Sequence, residues 1–414
     1  MRVSPLALLG LSLVACTVDT NPGTPIIPAG GGGNQNTSGM PGAGGSGNQT
    51  AGANNAGATQ GGSQPIMTGA SGGTLAIAGN GTGGAAAGTG GAAGGATGGS
   101  NSTGMDTPPA RPLTVDAAGS CKCELKFSAK SIDPMGDTST SPTHAGDQQA
   151  MKFDASKPPK KKLAIVLGGI GGGPGPGGIY GYAIGKGYHA FLVATQTNES
   201  SAPDEFKDKD DVESNRQVGD ARMEAWDGKD RVAWLDVKRP DSIERRTELA
   251  LKHAQEMDPG ADWAYYLNAD NTVRWSDVVL VGYSFGSQTI AMVAKYVRFS
   301  RAIITSGPTD EDFPKATWIT APSATPLERM FVMVGAQADY PPASGDVGDK
   351  IDTVKAAGWV GDPFNVHSGD APTKDTPSYK GANILVLVGQ GHSEMCAGDG
   401  GNWKGICDYA FDAL

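Results

Sequence analysis

The chain has 414 residues, a formal net charge of −10 and 63 glycines. Close to half of those glycines precede residue 105, and residues 20–105 contain no Asp, Glu, Lys or Arg, so the negative charge belongs to the C-terminal part. An acidic domain argues against nucleic acid as a partner, because phosphate binding needs clustered Lys and Arg. The one basic cluster, Lys157 with Lys160, Lys161 and Lys162, reads as a solvated turn before a buried strand.

Residues 1–15 have the form of an exported lipoprotein signal: Met1-Arg2, a short apolar run, then Leu13-Val14-Ala15-Cys16. The apolar run is too short to span a membrane. The ending resembles the bacterial lipobox, which makes Cys16 the lipid-modified first residue of the mature chain. Thr17 rather than Asp follows it, which by the same resemblance points to the outer membrane or cell surface of a Gram-negative bacterium. Residues 16–112 then read as a tether of Gly, Ala, Asn, Ser and Thr. Such a segment buries too little apolar surface to offset chain entropy, and a flexible coil of this length spans on the order of 50 Å.

From 113 to 414 the composition is globular and long enough for one large α/β domain. Two alternating runs, Glu124–Ala129 and Ala150–Asp154, predict half-exposed antiparallel strands. Six continuous apolar runs follow, at Lys162–Gly168, His189–Ala194, Val278–Val281, Arg301–Thr305, Arg329–Val334 and Asn383–Val388. Separated by helical stretches, they predict a parallel sheet covered on both faces, eight strands in all. Helices are expected over Gly178–Lys186 and Asp241–Met257, the latter capped by Asp241 or Ser242. The charged stretch around Asp210–Trp226 predicts an exposed helix. Trp226, Trp234, Trp263 and Trp275 read as packing anchors.

Four cysteines remain beside Cys16: Cys121, Cys123, Cys396 and Cys407. An even number in an exported chain favours disulfides, and Cys-x-Cys is poor zinc spacing, so no metal is expected. Three connectivities are open; the short loop closed by Cys396–Cys407 is the first choice.

The stretch Asp277–Lys295 runs from a buried strand through Gly282-Tyr283-Ser284-Phe285-Gly286 into a helix. That context turns a Gly-x-Ser-x-Gly match into a nucleophile elbow, with Ser284 raised above the sheet. Together with the strand series and the Gly-rich loop Leu167–Gly175, it resembles the α/β-hydrolase superfamily over nearly all of residues 120–414. The resemblance implies a mostly parallel eight-stranded sheet with helices on both faces. It also implies a triad in the order Ser, acid, His.

By that order His392, after the last apolar run, is the base, with Gly389 and Gly391 letting its loop bend back. Asp339 is the acid, with Asp310, Glu311 and Asp312 as rivals. Phe285 and Ile170 supply the oxyanion N–H groups. Many relatives carry His-Gly where this chain has Gly168-Gly169. The other histidines, His144, His189, His253 and His367, are expected to be satisfied elsewhere. The implied activity is a serine hydrolase that cleaves small or polymeric carboxylic esters through an acyl-enzyme, with no cofactor. A non-catalytic surface-binding lipoprotein on the same fold, or an acyltransferase or amidase with the same triad, are the alternatives.

Overall fold

The computed structural model describes residues 111–136, 148–169, 177–194, 212–307, 316–337, 347–359, 361–370, 379, 381–392, 395–397 and 400–412. All of them lie in the unit Ala92–Leu414. The signal segment, Cys16 and the tether fall outside the described residues.

The apolar runs become strands because both of their faces are covered. In β3 (Leu163–Leu167) all five side chains are buried. Leu163, Ile165 and Leu167 join the core on one side of the sheet, while Ala164 and Val166 join the core on the other. The same division splits β5 (Val278–Tyr283): Val278 and Leu280 face one core, Val279 and Val281 the other. Alternation without a polar face is the mark of a sheet clad on both sides.

The remaining strands are β1 (Leu125–Ser128), β2 (Gln148–Lys152), β4 (His189–Val193), β6 (Arg301–Thr305), β7 (Met330–Gly335), β8 (Phe364–Val366) and β9 (Ile384–Leu387). The described strands form one sheet in the order β1-β2-β4-β3-β5-β6-β7-β9-β8. β1 and β2 are antiparallel to their neighbours, and every pairing from β4 to β8 is parallel. This order, with an elbow at the end of the central strand β5, is the α/β-hydrolase fold.

Among the described residues this sheet has nine strands rather than the expected eight, because β8 adds a parallel edge of three residues. A strand that short shows no periodicity in sequence. β2 also differs from expectation: Gln149, Ala150 and Met151 are all buried, since the strand pairs with both β1 and β4.

Seven α-helices are described: α1 (Ala129–Ile132), α2 (Gly177–Gly185), α3 (Val212–Asp227), α4 (Ile243–Met257), α5 (Phe285–Tyr296), α6 (Val347–Ala356) and α7 (Lys404–Asp412). α4 starts where capping chemistry places it. Ser242 Oγ accepts from the Arg245 N–H, while Asp241 lies in the preceding 3₁₀ turn and pairs with Arg246 at 3.0 Å. α3 is not the exposed helix that its charge suggests: Arg222, Glu224 and Trp226 are all buried. Glu224 caps the turn after it, accepting from the N–H groups of Arg231, Val232 and Val237. Trp226 and Trp263 are packing anchors as expected, with Trp275 beside Trp226 at 4.8 Å between ring centres, tilted by 53°.

Candidate active site

β5 ends in Tyr283, and the chain then turns sharply at Ser284, which has φ 53° and ψ −119°. A non-glycine residue at positive φ is costly and persists only where its surroundings hold it. Here the Ser284 N–H donates to Thr305 O at 3.0 Å, and the Ser287 N–H donates back to Ser284 O at 2.9 Å. Ser287 Oγ is bonded to Gly282 O and Thr305 O, tying α5 to the ends of β5 and β6.

The glycines of the elbow are needed for clearance. A Cβ on Gly282 would sit 2.6 Å from Gly286 O, and one on Gly286 would sit 2.5 Å from Gly168 O. No side chain fits at either position. The Gly286 N–H also donates to Gly168 O at 2.9 Å, which fastens the loop after β3 to the start of α5.

That loop passes directly over the serine. A Cβ on Gly169 would lie 3.5 Å from Ser284 Oγ. Phe285 is the first residue of α5, so its N–H is one that the helical ladder leaves without a partner. Ile170, the second expected donor, lies outside the described residues.

The structure brings His392 to the serine from 108 residues further along the chain, with Nε2 2.9 Å from Ser284 Oγ. Its loop turns after β9 at Gly389, whose φ is +83°, whereas Gly391 needs no positive φ. The loop is braced in two places. Trp403 Nε1 donates to Gln390 Oε1 at 3.2 Å, and the Gln337 N–H donates to Gln390 O at 2.9 Å. At the end of β7 the loop presses so closely that a Cβ on Gly335 would fall 2.4 Å from Gln390 O.

Sequence reasoning missed two neighbours of this histidine. The Tyr283 ring lies 5.5 Å from the imidazole, tilted by 48°. Lys350 of α6 is buried, and its charge acts on His392. The imidazole is therefore held below its ordinary pKa, first by burial and then by the Lys350 charge. The Lys350 ammonium is itself pushed down to about 8 by burial. Asp339, the expected acid, and its rivals Asp310, Glu311 and Asp312 lie outside the described residues.

Behind Phe285, the Arg222 guanidinium stands 5.3 Å from the centre of its ring and donates to Gln288 Oε1 at 2.7 Å. Nothing in the charge pattern of α3 marks Arg222 as one of the charged residues that face inward.

Of the other described histidines, His189 and His253 are packed elsewhere, and His367 is exposed with its backbone N–H bonded. His189 is buried between Phe153 and Trp263, with Nε2 2.6 Å from Ala261 O and Nδ1 2.8 Å from Tyr266 Oη. A carbonyl only accepts, so Nε2 carries the proton and Tyr266 donates to Nδ1. His253 packs edge-on against Phe127, and the His367 N–H donates to Asp370 Oδ2. His144 lies outside the described residues. The disulfides are Cys396–Cys407, as expected, and Cys121–Cys123.

No protein-family model matches the chain, and no curated protein matches it. Solved structures do align with it. An esterase from Thermogutta terrifontis is 13% identical over 72% of this chain and 92% of its own, with a TM-score of 0.32. An α/β serine hydrolase without lid from Xanthomonas campestris is 12% identical over 68% and 88%, with a TM-score of 0.31. A sugar hydrolase from Lactococcus lactis is 9% identical over 70% and 94%, with a TM-score of 0.34. At such identities and scores, the fold assignment rests on the strand order and elbow of this chain itself.

Proposed function

We propose that this protein is an exported, lipid-anchored serine hydrolase that cleaves carboxylic esters through an acyl-enzyme on Ser284. The observation that carries the reading is the 2.9 Å approach of His392 Nε2 to Ser284 Oγ at an elbow with positive φ. A serine hydroxyl at its ordinary pKa is a weak nucleophile, and a neutral imidazole at hydrogen-bond distance is what activates it. In the proposed reaction Ser284 Oγ gives its proton to His392 Nε2 as it attacks the ester carbonyl. The Phe285 N–H, with Ile170 as its partner, receives the oxyanion. His392 then returns the proton to the departing alcohol, and water repeats the sequence on the acyl-enzyme.

Asp339 is the proposed orienting acid. Gln337 is bonded to the His392 loop, and Asp339 follows two positions later, about 7 Å away at full extension. The acid holds the imidazole in the tautomer that leaves Nε2 free to accept.

A fluorophosphonate probe, with peptide mapping, should label Ser284, and short p-nitrophenyl esters should be turned over. Ser284→Ala should lose both properties while keeping its thermal midpoint. Folded protein that neither labels nor turns over ester would sink the proposal, and would leave the fold as a binding scaffold. For the anchor, the lipobox-like ending at Cys16 supports export and lipidation, and an extracellular tether favours a substrate met outside the cytoplasm. Among the described residues no helix is long and apolar enough to cross a membrane.

A further inference from the structure

The two disulfides among the described residues are physically unlike each other. Cys396 and Cys407 are buried, link α7 to the segment after the His392 loop, and lie 11 positions apart. Cys121 and Cys123 are exposed, lie two positions apart and enclose only Lys122, which is held at φ 55°. A bridge over so short a loop removes little freedom from the unfolded chain, so it contributes little as a staple. Exposure makes it reachable, and the left-handed lysine inside the ring is a conformation that opening the ring would relax.

The surrounding chain presents this pair rigidly. The Cys121 N–H and Ser120 Oγ both donate to the buried Asp258 carboxylate, at 2.8 and 3.3 Å. Gly260 packs so closely below that a Cβ there would fall 2.2 Å from the Gly119 carbonyl carbon. β1 begins two residues beyond Cys123.

We propose that Cys121–Cys123 is a thiol–disulfide exchange site that reacts with small anionic thiols, independently of Ser284. The geometry assigns the two sulfurs different parts. The Cys123 N–H points at Cys121 Sγ from 3.2 Å, where it stabilises charge developing on that atom, so Cys121 is the leaving group and Cys123 the sulfur attacked. A thiolate bonds to Cys123 Sγ, the Sγ–Sγ bond breaks, and its electron pair departs on Cys121 Sγ. A second thiolate attacks the external sulfur of the mixed disulfide, displaces Cys123 as thiolate and leaves as RSSR. The cysteine pair gains two electrons, two RSH are oxidised to RSSR, and the two thiol protons end on Cys121 and Cys123.

The preference for anions comes from the adjoining cleft of about 350 Å³, which Lys122 and Lys152 line together with Asp154. Two cations against one carboxylate favour an approaching thiolate that carries a second negative charge.

The experiment takes the oxidised full-length protein, without denaturant, through a titration with 2-mercaptoethanesulfonate, 2-mercaptoethanol or cysteamine. Each is used at equal thiolate concentration and followed by alkylation and peptide mass spectrometry. Cys121 and Cys123 should be alkylated at least about tenfold faster than Cys396 and Cys407. The anionic thiol should outpace the cationic one several-fold, with the gap closing in K122Q/K152Q and at high salt. The double variant C121S/C123S should keep its ester turnover and thermal midpoint, whereas C396S/C407S should melt lower.

Equal opening of both disulfides would overturn the proposal. So would cysteines 121 and 123 found unpaired or paired elsewhere, a rate indifferent to thiol charge, or a C121S/C123S protein destabilised as much as C396S/C407S. None of these readouts passes through Ser284, so failure of the hydrolase reading leaves the outcome interpretable.

Discussion

Ser284 Oγ and His392 Nε2 stand 2.9 Å apart, and in the proposed reaction the environment of His392 sets the pH at which a proton passes between them. Burial and the Lys350 charge both disfavour the imidazolium, so His392 stays neutral to a pH below its ordinary 6.5. A base must be neutral to accept. Ester kcat/KM should therefore fall only as the solution is acidified through a midpoint below that value. Lys350→Met removes one of the two causes and should move the acidic limb to higher pH, read from a kcat/KM profile of wild type and variant. A limb that stays in place would show that the lysine charge does not reach the imidazole. His189 gives a second pH signature, this one in stability. Its folded pKa is lowered to about 4 by burial, against an ordinary 6.5. Between these values the unfolded chain binds a proton that the folded one does not, so stability is lost as pH falls through that window. The full difference is about 3 kcal/mol for a group this deeply buried. Urea midpoints taken from pH 7 to pH 4 should show the decline, and His189→Gln should flatten its slope.

At the scale of elements, the site depends on three crossings where segments of chain pass each other with no room for a side chain. The loop after β3 crosses α5 at Gly286, β5 crosses α5 at Gly282, and β7 meets the His392 loop at Gly335. Gly286→Ala must displace the backbone at Leu167 and Gly168, the loop that lies over Ser284. Overpacking of this kind costs about 1–3 kcal/mol. Ester turnover should fall by more than the melting temperature alone accounts for, which a comparison of kcat with residual folded fraction would show. An alanine variant with wild-type kcat would mean that the loop does not set the geometry. The same scale explains why α3 departs from the exposed helix that its charge predicts. Its charges suggest a solvated face, yet Arg222 reaches Gln288 and the Phe285 ring, and Glu224 binds three backbone N–H groups. Each polar group is taken inward by a partner on another segment, and a pattern of charge along one helix holds no record of such partners.

For the whole molecule, the proposed tether and anchor let an acidic hydrolase domain work at a distance from the membrane that holds it. Cys16→Ala should shift ester activity from the membrane fraction to the soluble fraction without changing turnover per molecule. Activity that stays with the membranes would sever the anchor from Cys16. The sequence by itself determined eight of the strands, the elbow at Gly282–Gly286 and the start of α4 at Asp241 or Ser242, and the resemblance carried by those elements singled out His392 among five histidines. The strands, the elbow and the helix start are written in local chemistry: apolar period, turn glycines and a capping side chain. Only the tertiary structure decided what distance in sequence conceals. It set His392 beside Ser284, slid Gly169 over the hydroxyl, buried Lys350 and Arg222 near the site, and added β8 at the sheet edge. The physical reason is that periodicity reports which way a residue faces on its own element, whereas the parallel order of the sheet decides which elements meet.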